Sequence, residues 1–483
     1  MKDSARTLSA LLAMGLLLTA CGGGSGTTAA ATDETTPPAD DAAETTGMFD
    51  GIEKEDYNGR EFKFLFRTTN EADWYTEEEN GDVYNDAVYA RNRAVEDEFN
   101  IKIVPISAAG EWANRVEYTE RIRSSVMAGS GDYDLVEMNG SNGALLMTDH
   151  LLLNLHEVEH LRLDQPWWSE RSMKEMTING KMYYATGDIA IGMWKCLHVF
   201  YFNKELLAEY QLESPYQLVR DGKWTYDKFL QMIEDTAVDL NGDSQMTEED
   251  RYGALFFDSI SFENFRVAFD APISVRENNT VKLNLMTDEM VSISEKLQSL
   301  VHENENVHYI TAGDNADASV KLFSEDHALF LVGWLQHATS MRDMKADFGI
   351  LPYPKADEQQ EGYYTMSRAN RSMMCMPIDV ADAAFSGKIT EALCVAGSNL
   401  VVPVYHEQVL NGKTSRDDES KEMLEIIRNG HTLDLISDNA EIAGNGGYML
   451  RYAVNGNKAL ATYYAENESS IHTKFAQFLA CFE

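Results

Sequence analysis

Basic residues are scarce in this 483-residue chain: 40 lysines and arginines stand against 79 aspartates and glutamates, a formal net charge of -39. A field of that sign repels nucleic acid and anionic lipid surfaces and excludes a polynucleotide partner. Cysteine is scarcer still. Beyond Cys21, the thiols of Cys196, Cys375, Cys394 and Cys481 are widely spaced in apolar surroundings, with neither a CxxC pair nor metal-ligand spacing. Buried free thiols are the default over a disulfide, and redox chemistry is not indicated. The chain has no GxSxG elbow, no Walker loop and no dinucleotide fingerprint; Gly444-Asn445-Gly446-Gly447 follows no suitable strand-to-helix switch. Carboxylate pairs are too common here to signal glycosidase chemistry. No internal repeat is visible, and no apolar run after the N-terminus reaches membrane-spanning length.

What is present starts at the N-terminus. Lys2 and Arg6 precede an apolar run from Leu8 to Leu18 that ends Leu18-Thr19-Ala20-Cys21. Residues 1–20 have the layout of a bacterial lipoprotein signal peptide, too short for a stable spanning helix. Cys21 would become the acylated N-terminus, placing the rest outside the cytoplasm and lipid-anchored to the cell membrane. Residues 21–50, rich in Gly, Ser, Thr, Ala, Pro, Asp and Glu, cannot bury enough surface to offset their ordering entropy and are expected to be a flexible acidic linker. The remaining chain is long enough for two domains.

The globular part alternates strand and helix patterns. Glu61 to Arg67 alternates polar and apolar residues, Asp86 to Phe99 has one apolar helical face, and Ile101 to Ile106 returns as a strand. Arg115 to Ala128 is helical, and Tyr133 to Met138 is a short buried strand. Farther on, strands are expected at 182–185, 196–202, 252–257, 327–332 and 348–352. Helices are expected at 204–210, 226–238, 287–304, 335–345, 381–398, 415–429 and 455–482. This order implies an α/β fold with parallel pairing, whose ligands sit beyond the carboxyl ends of strands.

Several segments carry a family likeness: Arg91-Asn92-Arg93 through Glu98-Phe99-Asn100-Ile101, YDLVEMN at 133–139, YFNKELL at 201–207, GKWT at 222–225 and DFGILPYPK at 347–355. Together they resemble the extracellular solute-binding lipoproteins of ABC importers, family 1, the carbohydrate-type branch. The resemblance spans about 56–482. It implies a two-lobed periplasmic-binding-protein-like fold of type II, each lobe a mixed sheet flanked by helices, hinged by crossings near 188–195 and 371–377. The implied N-lobe is 56–187 plus 375–400, and the C-lobe is 188–374 plus 401–483. It also implies a monomer with no enzymatic activity that closes on a small solute, favouring a carbohydrate, and delivers it to an ABC permease.

A sugar presents an apolar ring face and a rim of hydroxyls, so its site needs aromatic plates and paired polar groups. Strand-end and inter-lobe positions nominate Trp74, Asn139, Ser141, Asp188, Trp194, Trp334, Tyr364 and Arg368. Trp334 and Asp188 lead, since they match positions from which related proteins contact sugar. Trp167, Trp168 and Trp224 are expected to be structural. The other readings are a peptide or other solute in the same fold and, third, a zinc protease built on His156-Glu157-Val158-Glu159-His160, which satisfies HExxH. That motif lies between Asn154 and Pro166, with little room for an active-site helix.

Residues 239–250 follow the EF-hand ligand order: Asp239, Asn241, Asp243, Gln245 through its carbonyl, and Asp250 at the last position. Ser244 stands where glycine makes the sharp turn, and Asp250 replaces the bidentate glutamate. A structural calcium ion is expected there, against the alternative of a solvated acidic loop. No catalytic cofactor is expected.

Overall fold

The computed structural model describes residues 47–483 except 190, 258–259, 278, 311–315, 369–370 and 411–417. The signal-like segment, Cys21 and the linker up to residue 46 lie outside the described residues. Among the described residues the strands are β1 (Arg60–Arg67), β2 (Ile101–Ala108), β3 (Leu135–Met138), β4 (His198–Asn203), β5 (Tyr252–Phe256), β6 (Ser274–Glu277), β7 (Thr280–Leu283), β8 (Val307–Tyr309), β9 (Ala328–Trp334), β10 (Phe348–Leu351), β11 (Thr365–Met366), β12 (Met373–Cys375) and β13 (His431–Thr432). They form two main sheets, ordered β12-β3-β1-β2 and β10-β4-β9-β5-β8, and two two-stranded ladders.

In the first sheet β1 runs parallel to β2 and β3, while β12 is antiparallel to β3. Phe62 and Phe64 pack edge-on against Phe385 and Trp74. The helix Val83–Phe99 is started by Asp82, whose side chain accepts the Asn85 N–H. It buries Val88, Arg91, Asn92, Val95 and Phe99 on one face and stops at Asn100, which adopts the left-handed conformation. The second sheet is also mixed: β5 is parallel to β8 and β9, and β4 is antiparallel to β9 and β10. Its strands β4, β5, β9 and β10 are buried along their whole length, which is why they read as apolar runs rather than alternations.

Two chain segments run side by side between the sheets. Ala185 pairs antiparallel with Met374 near the first sheet, and Leu197 pairs antiparallel with Ser367 near the second. A third passage is the π-turn Gly397–Val401, between the helices Ala383–Ala396 and Val402–Leu410. It approaches the first passage so closely that a Cβ on Gly397 would lie 2.4 Å from the Asp188 carbonyl oxygen.

Four expectations need correction. Residues 182–185 form no strand; only Ala185 pairs, because the chain is already leaving the first sheet. The helix at 335–345 shrinks to His337–Ser340, since the N–H groups of Leu335 and Gln336 are drawn to the carbonyls of Leu197 and Lys195. The helix from Tyr226 ends at Ile233, before the left-handed Asp235 and the Val238–Arg251 bridge. The C-terminal helix expected from 455 starts only at Leu460 and runs to Ala480, since Gly456 and the left-handed Asn457 separate it from a preceding helix, Met449–Asn455. Cys375, Cys394 and Cys481 are free thiols, and no helix among the described residues is long and apolar enough to cross a membrane.

Candidate functional site

A cavity of about 350 Å³ opens where β1 and β9 end and where β4 and β12 begin. Its walls come from both sheets and from both paired passages: Arg67, Asn70, Asp73 and Glu111 on one side, Trp334 and Gln336 on the other, Lys195, Cys196, Arg368 and Ser372 between. This is the crevice beyond strand carboxyl ends in which open α/β sheets bind ligands.

Ion pairs brace it. Arg67, at the end of β1, is buried against Glu137 of the neighbouring β3, with Nη2 to Oε1 at 2.6 Å and Nε to Oε2 at 3.1 Å. Glu111 takes the remaining Nη1 at 3.2 Å. Arg371 makes a two-pronged contact with the buried Asp438, Nη1 to Oδ1 at 2.9 Å and Nη2 to Oδ2 at 2.5 Å. Lys195 pairs with Asp73, which also accepts the Tyr84 hydroxyl at 2.7 Å. Burial, with Asp73 beside it, pushes the Tyr84 phenol well above its usual value. Asn70 donates to the Ser372 hydroxyl at 3.0 Å and so links the first sheet to the second passage.

The recognition surface left by this bracing is one indole and several neutral polar groups. Trp334 is 5 % exposed, with the Arg368 guanidinium over its ring at 4.2 Å, Phe257 edge-on at 5.4 Å and His337 at 4.9 Å. Its buried Nε1 has no hydrogen-bond partner among the described residues. Thr69, Asn70, Gln336 and Ser372 can each donate and accept. An apolar plate, neutral hydrogen-bonding groups and carboxylates each already held by a cation suit a hydroxyl-rich solute better than a free cation.

The nominated residues divide. Trp334 and Arg368 line this cavity. Asp188 and Trp194 line another, behind the helical turn Gly192–Lys195, whose Gly192 and Lys195 face the first. Burial pushes the Asp188 carboxyl up to about 6, against the pull of Ser398, Arg428 and Trp194. Trp74 lines neither; it is buried edge-on to Phe64 at 5.0 Å, and its carbonyl accepts from Arg91 and Asn92. Asn139 caps the helix Gly140–Thr148 by accepting the Asn142 N–H at 3.0 Å. The Ser141 side chain lies outside the described set. Tyr364 is half-buried in a small apolar cluster with the Arg171 guanidinium over its ring at 4.2 Å. Arg67, Asp73, Glu111, Lys195 and Arg371 went unnoticed in the sequence. Arg67 and Asp73 flank the strand end nominated as a binding loop, which was the available signal.

His156 lies in the single turn Leu155–Glu157, its Nε2 2.9 Å from the Thr177 hydroxyl, and His160 has a φ of 73°. The two histidines therefore do not share the helix face that HExxH zinc binding requires. In the acidic loop, Asp239 accepts from the Gly242 and Ser244 amides at 2.6 and 2.8 Å, Asn241 from Asp243 at 2.9 Å and Asp243 from Gln245 at 2.8 Å. The Asp250 carboxylate accepts from Leu240 and Thr247. Among the described residues no group of three or more His, Cys, Asp or Glu side chains is poised around a metal position.

Two mixed sheets with a cavity at their strand ends are the fold of the two-sheet solute-binding proteins. Solved structures of that class superimpose on the chain. An extracellular solute-binding protein from Staphylococcus aureus in complex with maltose aligns at a TM-score of 0.58 with 14% identity, over 88% of this chain and 99% of its own. A cyclo/maltodextrin-binding protein with maltotetraose aligns at 0.57 with 13% identity, over 86% and 98%. UgpB from Mycobacterium tuberculosis with glycerophosphocholine aligns at 0.56 with 11% identity, over 86% and 98%. At such identities the likeness establishes the fold. No protein-family model matches the sequence, and no curated protein matches it.

Proposed function

We propose that this chain is an extracytoplasmic substrate-binding protein that captures a small carbohydrate or oligosaccharide between its two sheets and delivers it to an ABC permease. The observation that carries the proposal is the cavity at the ends of β1 and β9, with Trp334 as its plate and its carboxylates held by Arg67, Lys195 and Arg371. Structures of the same fold holding maltose and maltotetraose support the solute class. In this reading the halves are 56–187 with 375–400 and 188–374 with 401–483, the paired passages are the hinge, and closure is driven by contacts that exist only when both halves touch the solute. Cys21 would carry the lipid tether, and the protein works as a monomer. Thermal-shift screening of sugars, amino acids and peptides tests it, because a cleft ligand stabilises by mass action. Stabilisation by a saccharide supports the proposal; stabilisation by peptides alone moves the chain to the other solute class.

We further propose that residues 239–250 hold a structural calcium ion through Asp239, Asn241, Asp243, the Gln245 carbonyl and Asp250. Ser244, with φ of 65°, adopts the left-handed turn that the sixth loop position requires, which supports the reading despite the missing glycine. Calcium should raise the melting temperature and a chelator should reverse the rise. No response to either would leave a solvated acidic loop.

A further inference from the structure

Beside the two paired passages, the halves assigned above touch through side chains. Tyr184, one residue before the Ala185–Met374 pairing, is buried with its ring beside Gly143 of the helix that follows β3, where an added Cβ would lie 3.3 Å from its Cδ1. Its hydroxyl crosses to the other half and donates to Asn439 Oδ1 at 2.5 Å. The amide is fixed for that role: its Nδ2 donates to the Leu435 carbonyl at 2.8 Å, which leaves Oδ1 to accept. Both residues are buried, so the bond is shielded from solvent.

Asn439 is itself tied to the second passage. It ends the helical turn Leu435–Asp438, whose Asp438 grips Arg371 with both carboxylate oxygens, and Arg371 lines the front cavity. Two neighbours of Tyr184 repeat the crossing. The Tyr183 hydroxyl donates to the Cys481 carbonyl at 2.8 Å, and Lys181 Nζ donates to the Glu483 carbonyl at 2.7 Å. Of the three bonds only that of Tyr184 is buried at both ends. Water can replace an exposed partner at little cost, whereas parting the buried pair leaves two polar groups unsatisfied. The Tyr184 hydroxyl lies a side chain's length from the backbone pairing at Ala185, so a turn of the halves about the passages parts it from the amide.

We propose that the Tyr184–Asn439 bond is a latch between the two halves: it favours the arrangement seen here, in which both halves line the front cavity, and so sets the affinity for solute without touching it. The inference rests on the two-halved solute-binding reading above and adds a pair of positioning residues to it. Where the closed arrangement is the minority before solute arrives, the apparent dissociation constant scales inversely with its population. Loss of one buried hydrogen bond then raises that constant about fivefold.

The test compares Tyr184→Phe, which removes only the hydroxyl, with Tyr216→Phe, which removes a buried hydroxyl contact to Ser420 at 2.9 Å inside one half. Spin labels on Ser124→Cys and Lys345→Cys, both exposed and one in each half, report the closed and open populations as two distances. The closed-to-open ratio is expected to fall about fivefold in Tyr184→Phe and to stay as in the parent in Tyr216→Phe, at a comparable loss of melting temperature. Calorimetric titration with maltotetraose should show the matching weakening in Tyr184→Phe alone. An unchanged ratio in Tyr184→Phe, an equal change in both variants, or a single distance indifferent to sugar would overturn the latch. Absence of saccharide binding to the unmodified chain would instead overturn the front-cavity reading, while the distance ratio still decides the latch.

Discussion

The two cavities on either side of the Gly192–Lys195 turn solve the problem of burying polar groups in opposite ways. In the front cavity every carboxylate is matched: Glu137 and Glu111 by Arg67, Asp73 by Lys195, Asp438 by Arg371. In the rear cavity the buried Asp188 has a longer ion pair, 3.8 Å to an Arg428 guanidinium that is itself 40 % exposed, with Ser398 and Trp194 beside its carboxyl. In the front cavity each carboxylate is held by a cation, and an indole, the Arg368 guanidinium and neutral polar groups remain in the wall. In the rear one, burial outweighs the looser pairing and pushes the Asp188 carboxyl towards its protonated form.

The contrast can be broken most severely in the front wall. Arg371→Met leaves Asp438 buried without its partner and is expected to cost about 3–5 kcal/mol of unfolding free energy, read from urea titrations; a loss below about 1 kcal/mol would mean that the pair is not buried as described. Proton uptake comes next. The Asp188 carboxyl is raised to about 6 in the fold from an ordinary 3.8, so its favourable contribution is complete below the unfolded value and disappears as pH rises through about 6. The difference in stability between the parent and Asp188→Asn should therefore shift against the parent by roughly 2–3 kcal/mol between pH 4 and pH 7. Glu263, raised by burial to about 7, adds a slope of the same sign in both proteins and cancels in the difference. A flat difference curve would remove Asp188 from the account. Smaller again is Arg368→Met, which strips the guanidinium from the Trp334 ring and should weaken solute binding about tenfold, or about 1.4 kcal/mol, with the unliganded melting temperature nearly unchanged. Calcium addition, a shift of a few degrees at most, is the mildest of the four.

Much of the first sheet was legible because β1 and the helix Val83–Phe99 each have a clear period and clean ends, Asp82 at one and Asn100 at the other. Segments near the hinge were not. Residues 182–185 and 335–345 have the local pattern of a strand and a helix, but backbone hydrogen bonds to Met374, Leu197 and Lys195 override it. The site was legible in the same uneven way. Trp334 announced itself as the last residue of an apolar strand. The Arg67–Glu137 pair depends on the parallel register of β1 against β3, which pairs Leu65 with Val136, and register across distant strands is invisible in one sequence. Trp194 and Lys195 are adjacent, and only the rotation of about 100° per residue in a helical turn sends one to the rear and the other to the front.

The most direct measurement is calorimetric titration of the full chain with neutral oligosaccharides of maltose type, repeated on Trp334→Leu and Arg368→Met. Saturable binding to the parent that both substitutions weaken tenfold or more is the predicted result. Heat from peptides alone, or saccharide binding indifferent to both substitutions, would contradict the assignment of the front cavity.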